Sequence, residues 1–211
     1  MNCRILGIKG NWREVADAAR TTVGKDAGEG EPSSSWKRRM LLAEHSPIRL
    51  LNISWKWTDL LSWVSVHFVR HKFGIEHFVR SQRTDRTGID RDELKQSELI
   101  THQCEANAQA IINISRKRLC RKASRETRRA WKTFLASIQR DQPELYSVCV
   151  EDCLYRGYCY EMEPCGYYRS EHYQVALAEY RKGINEEANN EQRTVRRNMG
   201  SIRGQGNAID D

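Results

Sequence analysis

The sequence predicts a chain that mixes β-strands with α-helices. Two patterns carry this. Residues 48–57, IRLLNISWKW, alternate apolar and polar side chains, with Leu51, Ile53, Trp55 and Trp57 on one face and Asn52, Ser54 and Lys56 on the other. Period two is the signature of a half-buried strand. From about 104 to 140 the repeat changes: Ala108, Ile111, Ile112, Ser115, Leu119 and Ala123 fall at three- and four-residue steps, the signature of an amphipathic helix.

The other elements follow in order. CRILGIK, residues 3–9, reads as a short strand. NWREVADAARTTV, 11–23, reads as a helix capped by Asn11. GKDAGEGEPSSS, 24–35, is loop by composition. WKRRMLLAEH, 36–45, is helical, with Pro47 as its stop. TDLLSWVSVHFVRH, 58–71, is an apolar helix with Thr58 as cap, and SQRTDRTGIDRDE is a charged loop. A break at 119–124 divides the long helical pattern in two. Residues 144–168 are rich in cysteine and tyrosine and have little periodicity, and 170–188 form a last helix. The reading is one domain over 1–188 and a polar, mobile tail over 189–211.

Composition narrows the partners. Lys+Arg 35 against Asp+Glu 28 leaves a net charge of +7, which suits a polyanion or a phosphate-bearing ligand. No window of about 18 apolar residues exists to cross a membrane. The first residues lack the apolar core of a signal peptide, so a cytoplasmic location is expected. Seven cysteines in that compartment read as thiols or metal ligands.

Three groups of residues carry candidate chemistry. RHKFGIEHFVRSQRTDR, residues 70–86, places a cluster of cations straight after the apolar run LLSWVSVHFV. Arg70, His71 and Lys72 there complement a helix dipole, but Ser81, Arg83 and Arg86 lie beyond its reach. Arginine forks match phosphate bidentately. In NAQAIINISRKR, residues 107–118, Asn107 and Arg118 return to one helix face roughly 16 Å apart, and Asn113 points about 120° away. Cys149, Cys153, Cys159 and Cys165 are four thiols close enough in sequence for a structural zinc site, or four small buried groups. Of the histidines, His67 lies one turn before Arg70 and could face a nucleotide. His77 lines the site or is exposed, and His102 and His172 read as structural.

Together these residues resemble the flavin-dependent thymidylate synthases. Those enzymes carry an RHR triplet at the end of an apolar helix and then an S-x-R element; here RHK (70–72) and SQR (81–83) stand in those places. Their Glu-His pair before a strand is matched by Glu44-His45. RDEL (91–94) matches the start of their R-x-x-L-P element. NAQAIINISRKR and ASRE (123–126) align without a gap to N-A-R-S-L-x-N-x-x-x-L-R and A-Q-x-E-I. The resemblance spans about residues 36–135, and the combination is specific where each piece alone is weak.

The resemblance implies an α+β fold, a mixed or antiparallel sheet flanked by helices. It implies conversion of deoxyuridine monophosphate (dUMP) to dTMP, with methylenetetrahydrofolate as carbon donor, FAD as hydride mediator and NADPH as reductant. Carried over residue by residue, His45, Arg70, His71, Lys72, Asn107 and Asn113 fall on FAD-contacting places. His67, Ser81, Arg83, Arg91 and Arg118 fall to the nucleotide, with Ser81 and Arg118 as catalytic residues. The family works as homotetramers whose sites draw on several subunits. No membrane or nucleic-acid partner is implied.

The departures point to a divergent branch, of a kind met in phages and some bacteria. Lys72 replaces arginine, so a fork becomes a point charge. One extra residue separates RHK from SQR. Val79 stands where the glutamate before the serine is expected, with Glu76 the nearest acid. Thr84, Lys95 and Gln109 replace tyrosine, proline and arginine, and the segment between SQR and RDEL is short. Two other readings follow: a flavin- and folate-dependent pyrimidine deoxynucleotide hydroxymethylase on the same fold, and a zinc-containing nucleic-acid-binding module.

Overall fold

The computed structural model describes residues 1–181. The first unit, Met1–Cys165, contains β1 (Asn2–Lys9), α1 (Trp12–Thr21), α2 (Ser34–Leu42), a 3-10 turn (Ser46–Leu50) and β2 (Asn52–Leu61). It continues through α3 (Ser62–Val69), β3 (Ile75–Val79), the single turn α4 (Thr84–Thr87), a 3-10 turn (Arg91–Glu93) and β4 (Leu99–Asn107). It closes with α5 (Ala108–Arg118), α6 (Arg125–Ile138), α7 (Pro143–Val148) and α8 (Asp152–Arg156). The second unit begins at Gly166 and holds a 3-10 turn, Tyr167–Arg169, and a helix over 171–181. The rest of the expected 170–188 helix and the 189–211 tail lie outside the described residues.

The fold is α+β. Its sheet has the order β1-β2-β4-β3, and every pairing is antiparallel. The alternation in β2 decides which face is covered. Ile53, Trp55 and Trp57 are fully buried, and so are their β4 face-mates His102 and Cys104. The opposite face is polar: Glu105 accepts from Lys9 Nζ at 2.8 Å and from Ser54 Oγ at 2.7 Å.

Helices cover the apolar face through an aromatic cluster. Trp55 stacks on Phe134 of α6 with ring centroids 4.1 Å apart, and Trp57 stacks on Phe68 of α3 at 4.7 Å. The indoles also need hydrogen-bond partners. Trp57 Nε1 donates to the Ala130 carbonyl at 3.2 Å, and Trp131 Nε1 donates to Ser115 Oγ at 2.8 Å. These bonds fix α5 and α6 against the strands.

The helix ends follow local chemistry. Asn11, Ser33, Asn107 and Ser124 cap α1, α2, α5 and α6, each accepting a backbone N–H three residues on. The break read at 119–124 is the α5–α6 turn.

The differences from the sequence reading have physical reasons. β2 starts four residues later than predicted, because 46–50 wind into the 3-10 turn. It also runs through Thr58–Leu61, where a helix is predicted. Leu60 and Leu61 pair with Ile100 and Leu99 across a bulge, at which Asp59 takes a left-handed φ of 56°. An unbroken apolar run such as LLSWV holds no period to separate strand from helix. Strand β4 lies partly inside the predicted 104–140 helix. Its inward residues are Ile100, His102, Cys104 and Ala106, and the histidine among them hides the alternation.

Truncating Trp57 removes two helix contacts and a buried hydrogen bond at once. Trp57→Ala is expected to lower stability by about 3–5 kcal/mol, read as a reduced urea midpoint with unchanged m-value.

Candidate functional site

The RHK segment is positioned from both sides. Helix α3 is anchored by buried Phe68, and the chain leaves it at Arg70, where His71 N donates back to the Phe68 carbonyl at 2.9 Å. Gly74 then turns the chain into β3 with φ of 71°. A Cβ there would come within 2.6 Å of Asn107 Nδ2, so the position needs glycine on two counts. The Gly74 carbonyl accepts from Asn107 N at 2.9 Å, while Asn107 Oδ1 caps α5 by accepting from Ala110 N at 2.9 Å. The start of α5 is thereby tied to the turn that follows RHK.

The end of α5 reaches the same segment. Arg118 Nε donates to His71 Nε2 at 2.9 Å, and Arg118 Nη2 donates to the His67 carbonyl. Arginine has no lone pair to offer. His71 must therefore present a bare Nε2 and stay neutral. Its pKa is pushed down to about 4, first by burial and then by the charges of Arg118 and His77. His67 is held below its usual pKa by burial, then by Arg118 and Arg70, and its Nδ1 lies 2.8 Å from Thr127 Oγ1. Burial and the Arg70 charge also press down on Arg118. Among the described residues, no ion pair joins Arg70, Lys72 or Arg118 to a carboxylate. Cations gathered without acids form a local positive field that an anion would relieve.

Asn113 belongs to a separate polar group. Glu44, in a left-handed conformation with φ of 52°, pairs with Arg116 and accepts from Gln109 Nε2. Arg116 also donates to Asn113 Oδ1 at 3.2 Å and stacks 3.5 Å over the Tyr155 ring. Burial tends to raise the Glu44 pKa, but hydrogen bonds from Arg116 and Gln109 outweigh it and hold the carboxyl below its usual range. His45, next in sequence, is exposed at the head of the 3-10 turn.

Ser81, Arg83 and Arg91 stand together in the exposed segment after β3. Ser81 Oγ accepts from Arg83 N at 3.3 Å, the Arg83 fork grips Asp85 with two 2.9 Å bonds, and Arg91 N donates to Thr84 Oγ1 at 3.3 Å. A concavity of about 500 Å³ lies elsewhere, lined by Arg13, Asp17 and Arg20 of α1 and by Glu29 and Glu31 beyond it.

The four cysteines of 149–165 are dispersed in burial: Cys149 and Cys159 are buried, Cys153 is half-buried and Cys165 exposed. Burial first, and then neighbouring charges that include those of Cys159, raise the thiol pKa values of Cys120 and Cys153, so part of this cysteine group is drawn together. A further group of metal-binding side chains among the described residues is His77, His102 and Cys104. Burial pushes His102 down to about 4 and drives the Cys104 thiol pKa up. The sequence signal for this group is H-x-C on alternate positions of one strand. Seeing it requires the β3–β4 register, which sets His77 opposite Cys104.

No family model matches the sequence, and no curated protein matches it. Solved structures do. A flavin-dependent thymidylate synthase (ThyX) from Helicobacter pylori, complexed with FAD and dUMP, is 14% identical with a TM-score of 0.59, over 72% of this chain and 100% of that one. A second structure of Helicobacter pylori ThyX with FAD and dUMP is 13% identical with a TM-score of 0.58, over 71% and 99%. The UMP/dUMP methylase PolB from Streptomyces cacaoi, bound with 5-Br dUMP, is 14% identical with a TM-score of 0.57, over 70% and 93%. The chain shares their fold.

The Glu44 network gives a pH test. A carboxyl whose folded pKa is depressed contributes stability above its unfolded pKa and loses it as pH falls through the folded value. Stability is expected to drop below the ordinary carboxylate value of 4.5. Glu44→Gln should be less stable at neutral pH and show a flatter acid limb in urea midpoints measured from pH 7 down to acid.

Proposed function

We propose that this chain is a flavin-dependent thymidylate synthase, converting dUMP to dTMP with methylenetetrahydrofolate as carbon donor and NADPH as reductant. One observation carries the reading: Arg118 at the end of α5 locks His71 of the RHK segment in its neutral form, within a group of cations that has no ion-paired carboxylate among the described residues. The fold shared with enzymes solved with FAD and dUMP supports it.

The donor set fits FAD. Arg70 and Lys72 are exposed and bring two positive charges to a diphosphate, and Asn107, its Oδ1 spent on the cap, keeps Nδ2 to donate. His45, His71 and Asn113 complete the proposed cofactor contacts. When bound and reduced, FAD supplies the redox chemistry of the transfer. The chain's own residues bind and orient. Arg83 and Arg91 hold the nucleotide phosphate, His67 faces the nucleotide from α3, and Ser81 sets a hydroxyl at the pyrimidine. Arg118, its orientation fixed by two acceptors, keeps Nη1 to stabilise negative charge on the nucleotide.

In one chain these residues form three groups: one at α3–α5, one around Glu44 with Asn113 and the neighbouring His45, and one in the exposed 81–91 segment. A homotetramer, with sites completed by neighbouring subunits, accounts for this division. Phe73, 93% exposed beside Lys72, is suited to such a contact. Light scattering is expected to give four chains per particle, and Phe73→Ser a smaller species.

A second reading keeps the fold and changes the product. Gln109 and Val79 depart from the family pattern, and the related fold of a UMP/dUMP methylase admits variation in substrate. Mass spectrometry of the product separates a methylated nucleotide from a hydroxymethylated one.

Purified protein is expected to be yellow, with a flavin spectrum that shifts on adding dUMP, and to release tritium from ring-labelled dUMP. Arg118→Ala should keep the flavin and lose about 10²–10³-fold in turnover. A chain that cannot take up FAD overturns the proposal.

A further inference from the structure

We propose that His77, His102 and Cys104 form a binding site for a zinc-type divalent cation between strands β3 and β4. The three donor atoms converge on the covered side of the sheet. His77 Nδ1 and His102 Nε2 are 3.0 Å apart, and Cys104 Sγ lies 3.4 Å from the first and 3.3 Å from the second. Zinc bonds of about 2.0–2.1 Å to imidazole and 2.3 Å to thiolate, in a tetrahedron, imply edges of about 3.4 Å between nitrogens and about 3.6 Å between nitrogen and sulfur. The triangle already present needs to open by only a few tenths of an ångström.

The register explains why these atoms meet. His77 pairs directly with Cys104, and His102 lies two residues back on the same face of β4. A one-residue slip in either strand would turn the set apart.

The outward nitrogens are oriented as metal-bound imidazoles require. His77 Nε2 lies 2.9 Å from the His71 carbonyl, which can only accept, so the proton sits on Nε2 and Nδ1 points inward bare. His102 Nδ1 lies 3.0 Å from Ser65 Oγ, leaving Nε2 for the ion. Such outer hydrogen bonds fix tautomer and ring angle at metal sites. Trp57 and Phe68 stand edge-on to the His102 ring and give the site an apolar wall.

Two imidazoles and a thiolate suit zinc better than calcium or magnesium, which take oxygen. Binding requires the Cys104 thiolate, so its proton is released to solvent. Three protein ligands leave a fourth position, which water can take. An ion-free arrangement also satisfies the geometry, with His102 Nε2–H donating to His77 Nδ1 and the Ser65 hydroxyl donating to His102 Nδ1. It differs in leaving Cys104 a protonated thiol.

This site is independent of the flavin reading, and its test uses metal alone. Full-length protein stripped by chelator and dialysed is titrated with Co(II). The expected result is one cobalt per chain, with tetrahedral ligand-field bands and a thiolate-to-cobalt charge-transfer band. Cys104→Ser should abolish the charge-transfer band, while Cys153→Ser/Cys159→Ser should leave it. X-ray absorption of the zinc-loaded wild type, which needs no variant to fold, should show two nitrogens and one sulfur among the nearest neighbours. No binding, a four-sulfur shell, or a band lost only in the Cys153/Cys159 variant overturns the proposal.

Discussion

Trp57 is the residue on which the rest of the architecture depends. It sits fully buried in β2, stacks on Phe68 of α3, bonds the Ala130 carbonyl of α6 and meets His102 of β4 edge-on. A large aromatic ring with one polar handle is suited to this, because stacking fixes distance and the indole N–H fixes orientation. Anchoring α3 sets where its C-terminal end delivers Arg70, His71 and Lys72. Anchoring β4 sets where Asn107 starts α5. Both ends of α5 then touch residues 71–74, which makes the segment a clamped bridge instead of a loose loop.

That clamp defines the electrostatics. Arg118 cannot give up its proton, so a histidine that accepts from it cannot be an imidazolium. Neutral His71 lets two arginines and a lysine approach one region without adding a further charge. Folding the chain concentrates positive potential there, and among the described residues no carboxylate forms an ion pair with Arg70, Lys72 or Arg118. Such an arrangement costs stability in the free protein and gains from a bound anion, as expected where a site is organised for a ligand.

Much of this was legible in the sequence because it rests on local chemistry. Asn11 as cap, the inward set Ile53, Trp55 and Trp57, and the split of the long helical pattern depend on near neighbours and appear as read. The resemblance, built on RHK, SQR and the 107–118 helix, led to the α+β fold. What stayed hidden depends on partners far along the chain. Thr58 as cap fails because Leu60 and Leu61 pair with Ile100 and Leu99, about forty residues on. The helical reading of 104–107 fails because His102 and Cys104 are inward residues of a strand, an assignment only the register with His77 reveals. For the site, Asn107 and Arg118 were legible as two ends of one helix. That both ends turn back to residues 71–74 was not, since it needs the position of α3.

The surroundings of Glu44 show how one helix face can supply both a cation and an amide to a single carboxylate. The resemblance places an arginine at 109, where this chain has an amide. Arg116 lies seven residues on, two helical turns of about 100° per residue, and so returns to nearly the same face about 10 Å along. It is Arg116 that pairs with Glu44, while Gln109 donates to the same carboxylate and so keeps a contact from position 109. Glu44 meets one cation, one amide and the Tyr155 side chain. The Tyr155 ring under the guanidinium holds Arg116 flat. With an amide at 109 and a guanidinium at 116, α5 presents two donors to Glu44 and leaves the carboxylate paired.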